Sequence, residues 1–214
     1  MRESKTILIT RPDHEYLTKY LCIWSERVVK LARDKGHDVH DLKGPKATRK
    51  ELESRTQAKR PSFLFMNGHG NRKVITGHND EPVIDEHSNL SGVILYARSC
   101  DAGHELGPKL IGGGMRAFIG YNRKFILGYT PQKIMHPETD AMAELFLEPS
   151  NLVATTIIKG HQVAEAHRRS KDGMYKNFRR MLSGAATYEE RRAASWMWSN
   201  INGQVLLGDA TAKM

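Results

Sequence analysis

One histidine and one cysteine in this sequence each follow a short apolar run, at the point where a polar cluster begins. His69 comes shortly after the run Phe63–Met66, and Cys100 comes shortly after the run Val93–Tyr96. Both runs have the length and composition of buried strands. Because the carboxyl ends of parallel strands meet at one edge of a sheet, we expect His69 and Cys100 to face each other there. A thiol beside an imidazole is the minimal pair for a cysteine nucleophile.

Such a pair has the chemistry for amide hydrolysis. A thiolate is a stronger nucleophile than water, and a neighbouring imidazole holds it as an ion pair and then protonates the leaving amine. The alternative is a strand-end cysteine and an unrelated loop histidine. The two strand-turn motifs occurring together favour catalysis by His69 and Cys100.

The residues around this pair resemble those of a known superfamily. The segments NGHG at 67–70 and YARSCDAG at 96–103 are similar to the strand-end motifs of the caspase-type cysteine peptidases, which include caspases, metacaspases, clostripain, gingipains, separase and bacterial CHAT domains. The tail at 205–209 resembles the strand-Gly-Asp ending of gingipain and CHAT-type domains. His69 and Cys100 are 31 positions apart, whereas the two residues are about 50 positions apart in animal caspases. The pentapeptide that marks animal caspases is also missing here. The resemblance is therefore to the bacterial branches.

The resemblance implies roles for individual residues. His69 matches the acid/base and Cys100 matches the nucleophile. Gly70 matches the residue whose backbone N–H joins that of Cys100 in the oxyanion hole. A glycine suits that position because the backbone must approach the substrate closely.

Two arginines are candidate substrate-binding residues. Arg98 lies two positions before Cys100, where metacaspases and clostripain carry Asp and cleave after basic residues. Because a guanidinium binds a carboxylate bidentately, Arg98 predicts cleavage after Asp or Glu, with Arg11 as a second arm of the pocket. The alternative is that Arg98 pairs with an internal carboxylate such as Asp101 or Asp85.

Composition sets broader limits. The 214 residues, 39% hydrophobic and 27% charged, are ordinary for one globular domain, and we expect a single peptidase domain over 1–214. The N-terminus lacks the apolar stretch of a secretory signal, and no run is long enough to span a membrane. Two cysteines, Cys22 and Cys100, form no disulfide framework, so a cytoplasmic location is expected, with Cys22 a small buried residue of the first helix.

Two other functions compete with a peptidase. Zinc binding by Cys100 with His69, His78 and His87 is disfavoured because their spacing matches no compact ligand set, so neither a metal nor another cofactor is predicted. A catalytically inactive scaffold or binding module is the stronger alternative, because the net charge is +9. The basic residues are spread along the chain, and a solvated basic surface is the commoner explanation. The scaffold is supported by one tract, made of His167, Arg168, Arg169, Lys171, Lys176, Arg179, Arg180, Arg191 and Arg192.

These alternatives define the expected partners. A peptidase needs a protein substrate, and relatives on the bacterial branches act in regulated proteolysis, including cell-death and antiphage defence. An activating or inhibitory protein partner is therefore expected, and the loops 71–89 and 122–137 are where such control would act. The basic tract leaves nucleic acid or an acidic protein open as a partner, although it shows no aromatic stacking pattern. No membrane partner is expected.

The order of predicted elements gives the fold class. Short β-rich runs alternate with helical periodicity, with a small hairpin inside 71–89, a series of helices near the end and a last strand at Val205–Leu207. Separate helices are predicted over Glu138–Leu147, Asn151–Arg169 and, beyond Gly173, Met174–Leu182, and a last helix is predicted over Tyr188–Trp198. This order predicts an α/β fold, a caspase-like three-layer sandwich in which a mostly parallel sheet has helices on both faces.

Overall fold

The central sheet has six strands in the computed structural model, which describes residues 4–214; the start of the predicted domain at 1–3 lies outside them. The strands are β1 (Thr6–Arg11), β2 (Asp38–Lys43), β3 (Phe63–Asn67), β6 (Ile94–Arg98), β7 (Ala117–Tyr121) and β8 (Gln204–Gly208). Their order across the sheet is β2-β1-β3-β6-β7-β8, and all pairs are parallel except β7–β8. The predicted hairpin forms a separate antiparallel pair, β4 (Ile75–Thr76) and β5 (Pro82–Ile84).

Six α-helices accompany the sheet: α1 (Tyr16–Asp34), α2 (Arg49–Lys59), α3 (Leu106–Gly112), α4 (Ala141–Ile158), α5 (Val163–Met181) and α6 (Tyr188–Gly203). Apolar residues of α1, α4 and α5 cover one sheet face, and those of α2, α3 and the hairpin cover the other. The predicted mostly parallel sheet with helices on both faces is thus confirmed. No helix within residues 4–214 is long and apolar enough to cross a bilayer.

The register of the two central strands determines where their polar ends lie. All five residues of β3 and all five of β6 are buried, as their apolar composition predicts. In the parallel pairing Phe63 lies opposite Ile94, and Asn67 lies opposite Arg98. The chain therefore leaves both strands at the same level of the same sheet edge.

The helices near the end have other bounds than the sequence predicts. The predicted helix Asn151–Arg169 is wrong, because residues 159–162 separate α4 from α5. The chain remains helical through Pro149 in α4 and through Gly173 in α5. Proline removes the hydrogen bond to the carbonyl four residues earlier, but that carbonyl, of Leu145, accepts one from the Asn177 side chain at 2.7 Å. A Cβ on Gly173 would lie 3.0 Å from Pro149 Cβ, so the glycine lets the two helices approach closely. The predicted breaks at these two residues are therefore wrong. Pro149 and Gly173 lie against each other where α4 packs on α5, and neither helix is interrupted there.

Candidate active site

His69 is held by the backbone immediately after β3. Gly68 has φ +152°, and a Cβ there would lie 2.2 Å from the backbone oxygen of Thr76, so only glycine fits. The next carbonyl, that of His69, accepts hydrogen bonds from the Thr76 N–H at 3.0 Å and from the Ser99 hydroxyl at 2.8 Å. The histidine backbone is thereby fixed between β4 and the end of β6.

Cys100 is held in the same way after β6. Asp101 has φ +55°, a left-handed conformation that Asp tolerates, and its N–H donates to the Arg123 carbonyl at 2.9 Å. The chain turns sharply there and leaves Cys100 at the strand exit. Since Ser99 also bonds the His69 carbonyl, the structure brings the segments of His69 and Cys100 together at the carboxyl edge of the sheet.

The two side chains have other partners in this structure. The His69 imidazole lies with Nε2 3.0 Å from Glu15 Oε1, and the Cys100 thiol donates to the Phe125 carbonyl with Sγ 3.8 Å from the oxygen. Burial raises the pKa of the Cys100 thiol, and the nearby Lys124 ammonium acts in the opposite direction. The raised pKa favours the neutral thiol, whereas the sequence suggests an ion pair.

Glu15 is a site residue that the sequence does not reveal. It is the N-cap of α1, where its Oε1 accepts from the Thr18 N–H at 3.0 Å while its own N–H donates to Thr18 Oγ1. The same Oε1 accepts from His69 Nε2, so Nδ1 is the unprotonated nitrogen of the neutral ring. The pattern Glu-x-x-Thr identifies a helix cap, but the contact with His69 spans 54 positions and needs the fold.

The backbone at Gly70 and Cys100 provides free donors. Gly70 pairs with Ile75 in an isolated bridge whose hydrogen bonds are made by the residues on either side of Gly70, so its own N–H points away from β4. Within residues 4–214 neither the Gly70 N–H nor the Cys100 N–H donates a hydrogen bond. A Cβ at position 70 would lie 2.1 Å from Ser99 Oγ, so this position requires glycine.

Arg98 does not line a substrate pocket, and that prediction is wrong. The residue is 0% exposed, on the sheet face that carries Ile94 and Tyr96. Its guanidinium donates only to neutral acceptors, and burial lowers its pKa to about 10. These acceptors are Asn67 Oδ1 at 2.7 Å, Asn151 Oδ1 at 3.0 Å, the Leu21 carbonyl at 3.2 Å and Ser25 Oγ at 2.5 Å. The alternative pairing with Asp101 or Asp85 is also wrong.

Arg11 is equally unavailable to a substrate. It is 2% exposed and donates to both oxygens of Asp41, to Glu26 at 2.6 Å and to the Cys22 carbonyl at 3.0 Å. Side-chain alternation and helix packing decide which strand-end residues reach solvent, and the motif alone does not show this. With both guanidinium groups internally bonded, the predicted preference for acidic cleavage sites loses its support.

The three histidines weighed as zinc ligands are not brought together. His87 lines a cavity of about 700 Å³ with Pro61 and Gly92, at the amino ends of β3 and β6 and thus at the opposite edge from His69. His78 lies with its Nδ1 3.8 Å from Asp13. Within residues 4–214 no three His, Cys, Asp or Glu side chains are grouped as metal ligands.

The loop that contacts Cys100 is attached to α6. The buried Asn200 amide donates to the Ile126 carbonyl at 2.7 Å, and its oxygen accepts from the Ile126 N–H at 2.9 Å. Ile126 follows Phe125, whose carbonyl accepts from the Cys100 thiol. The position of α6 therefore sets the position of the carbonyl that holds the thiol.

Comparison with known proteins relates this architecture to peptidases. No protein-family model and no curated protein matches the sequence. Among solved structures, the chain is similar to RgpB, a gingipain of the caspase-like cysteine peptidases, in a complex of its pro- and mature domains from Porphyromonas gingivalis, with a TM-score of 0.61 and 10% identity. The match covers 97% of this chain and 47% of that one, so this chain spans about half its length.

A second solved structure, an alanine–glyoxylate aminotransferase from Nostoc sp., matches at 14% identity over 88% of this chain and 58% of its own. Its TM-score of 0.30 does not indicate a shared fold. The fold of this chain is that of the caspase-like cysteine peptidases.

Proposed function

We propose that this protein is a cysteine endopeptidase in which Cys100 is the nucleophile and His69 the acid/base. The observation that carries the proposal is the hydrogen bond between Ser99 and the His69 carbonyl, which joins the two strand exits. The similarity in fold to a caspase-like cysteine peptidase supports the same function. The free N–H groups of Gly70 and Cys100 lie in the two segments that this bond joins.

In the proposed reaction, the neutral thiol gives up its hydrogen bond to Phe125 when a substrate binds. His69 takes the thiol proton as Cys100 Sγ attacks the scissile carbonyl carbon, and the N–H groups of Gly70 and Cys100 stabilise the oxyanion that forms. The imidazolium then protonates the leaving amine. Water, deprotonated by His69, hydrolyses the thioester and regenerates the thiol.

Glu15 orients His69 in this mechanism. Its carboxylate holds Nε2, is fixed by the first turn of α1, and stabilises the imidazolium formed when the thiol is deprotonated. The resting hydrogen bond of Cys100 supports regulated proteolysis, because the thiol stays bonded to the Phe125 carbonyl until a bound substrate displaces it.

The same resting geometry favours one alternative, a catalytically inactive scaffold with this fold. A peptidyl acyloxymethyl ketone library separates the two, since these electrophiles label a cysteine only when it is activated beside a bound peptide. The peptidase predicts that Cys100 is labelled, and that labelling slows in His69→Ala. Labelling of Cys100 no faster than of a free thiol, in both proteins, would support the scaffold.

A further inference from the structure

Helix α5 carries a second apolar row besides the one that it buries. Its core residues are Val163, Ala166, Met174 and Met181. A separate row with the three- and four-residue spacing of one helix face remains open to solvent. Its members are Tyr175, which is 39% exposed, the partly buried Phe178 and Leu182, which is 58% exposed. Phe178 also packs against the core formed by α1, α4, α5 and α6, whereas Tyr175 and Leu182 are exposed.

A neighbouring helix extends this row. Trp198 of α6 is 46% exposed, and its ring centroid lies 5.3 Å from that of Phe178 and 6.2 Å from that of Tyr175. Three aromatic rings from two helices thus form one raised apolar cluster. We define the α5–α6 patch as this cluster with its flanking residues, namely Lys171, Tyr175, Phe178, Arg179, Leu182 and Trp198.

Most cations of the basic tract are already paired within the protein. Arg168 bonds Asp172, Arg169 bonds Glu165 and Arg180 bonds Glu190. The side chains of Arg191 and His167 bond backbone carbonyls, and the Arg192 guanidinium lies over the Tyr188 ring.

Three cations of α5 remain without a hydrogen-bond or ion-pair partner among residues 4–214. They are Lys171, Lys176 and Arg179. Lys171 and Arg179 lie four residues before and after Tyr175, so they flank the aromatic cluster on the same helix face. Two of the tract's cations that have no carboxylate partner, Lys171 and Arg179, therefore belong to the α5–α6 patch.

We propose that the α5–α6 patch is a docking surface for an acidic segment of another protein that carries a large apolar side chain. Tyr, Trp and Arg are the residues that dominate binding energy at protein interfaces, and unpaired cations around an apolar centre complement carboxylates around an apolar anchor.

Two observations favour a protein over a nucleic acid at this surface. The internal pairing of Arg168, Arg169 and Arg180 removes the continuous run of free cations that a phosphate backbone would need. The Trp198 ring also lies at 31° and 71° to the Phe178 and Tyr175 rings, so the three rings present no parallel platform for bases. The proposal concerns binding, and it does not depend on the peptidase activity.

The test is fluorescence anisotropy with a labelled peptide of Asp and Glu residues around a central Leu-Phe pair. Its Asn/Gln counterpart and an oligothymidylate of equal length serve as comparison probes. The double variant Lys171→Glu/Arg179→Glu reverses two charges in the patch. Lys50→Glu/Lys59→Glu reverses two exposed charges on α2 and has the same net charge.

We expect the acidic peptide to bind the native protein at least tenfold more tightly than its neutral counterpart. The affinity for the acidic peptide should fall by about tenfold or more in Lys171→Glu/Arg179→Glu and in Trp198→Ala. In Lys50→Glu/Lys59→Glu it should change by less than about twofold. Equal weakening in the two charge-reversal variants would overturn the proposal. So would tighter binding of oligothymidylate at the patch, or no binding of the acidic peptide at millimolar concentration.

Discussion

Replacing Glu15 by alanine tests whether this carboxylate positions the candidate acid/base. One oxygen, Oε1, accepts from both the Thr18 N–H and His69 Nε2, each at 3.0 Å. Loss of the cap should lower the free energy of unfolding by about 1 kcal/mol. Loss of the His69 bond frees the imidazole, and a displacement of about 1 Å costs roughly 10²-fold in rate, or about 2.7 kcal/mol of barrier.

Thr48→Ala is the matched control, because Thr48 caps α2 through the Glu51 N–H and does not touch His69. Unfolding in urea measures the stability that each cap contributes. The rate at which the peptidyl ketone labels Cys100 measures the reactivity of the candidate active site. Both variants should lose similar stability, but only Glu15→Ala should lose about 10²-fold in labelling rate. Glu15→Gln should keep the cap and lose part of the rate. Equal labelling rates in Glu15→Ala and Thr48→Ala would refute the role of Glu15.

Three further predictions follow from other contacts. Gly70→Ala places a methyl group 2.1 Å from Ser99 Oγ, so it should break the Ser99–His69 bond and lower the labelling rate by about 10²-fold or more; an unchanged rate would contradict the oxyanion-hole assignment. Asn177→Ala leaves the Leu145 carbonyl unpaired, so it should lower the free energy of unfolding in urea by about 1–3 kcal/mol and leave the Cys100 labelling rate unchanged. Unchanged stability would contradict the explanation of why α4 continues through Pro149. Burial lowers the pKa of His167, so the unfolded chain binds this proton more readily and stability should fall as the pH falls below 6.5; His167→Gln should reduce that slope, and an identical pH dependence would contradict it.

The strands and the edge that carries the site could be predicted from the sequence because both depend on local patterns. Buried strands in a parallel sheet are short apolar runs, and their ends are marked by the polar clusters containing His69 and Cys100. Pro149 and Gly173 mislead for a related reason, since each is a helix breaker locally. Only their contact in the folded chain, with Asn177 bonding the freed Leu145 carbonyl, makes both tolerable.

The environment of the site could not be predicted, because it depends on contacts far apart in sequence. The Arg98 guanidinium donates hydrogen bonds to side chains of β3, α1 and α4, and no local pattern reveals these contacts. Glu15 reaches His69 only because β1 lies beside β3. The protonation state of Cys100 likewise depends on burial, and a sequence motif carries no information about it.

The most direct test of the central proposal is cleavage of a peptide library by four proteins, with cut products identified by mass spectrometry. They are the native protein, Cys100→Ala, His69→Ala and Cys22→Ala, the last removing a cysteine that is only 2% exposed. The proposed dyad predicts cleavage by the native protein and Cys22→Ala, and its loss in the other two. Unchanged cleavage by Cys100→Ala, or no cleavage by any of the four, would contradict it.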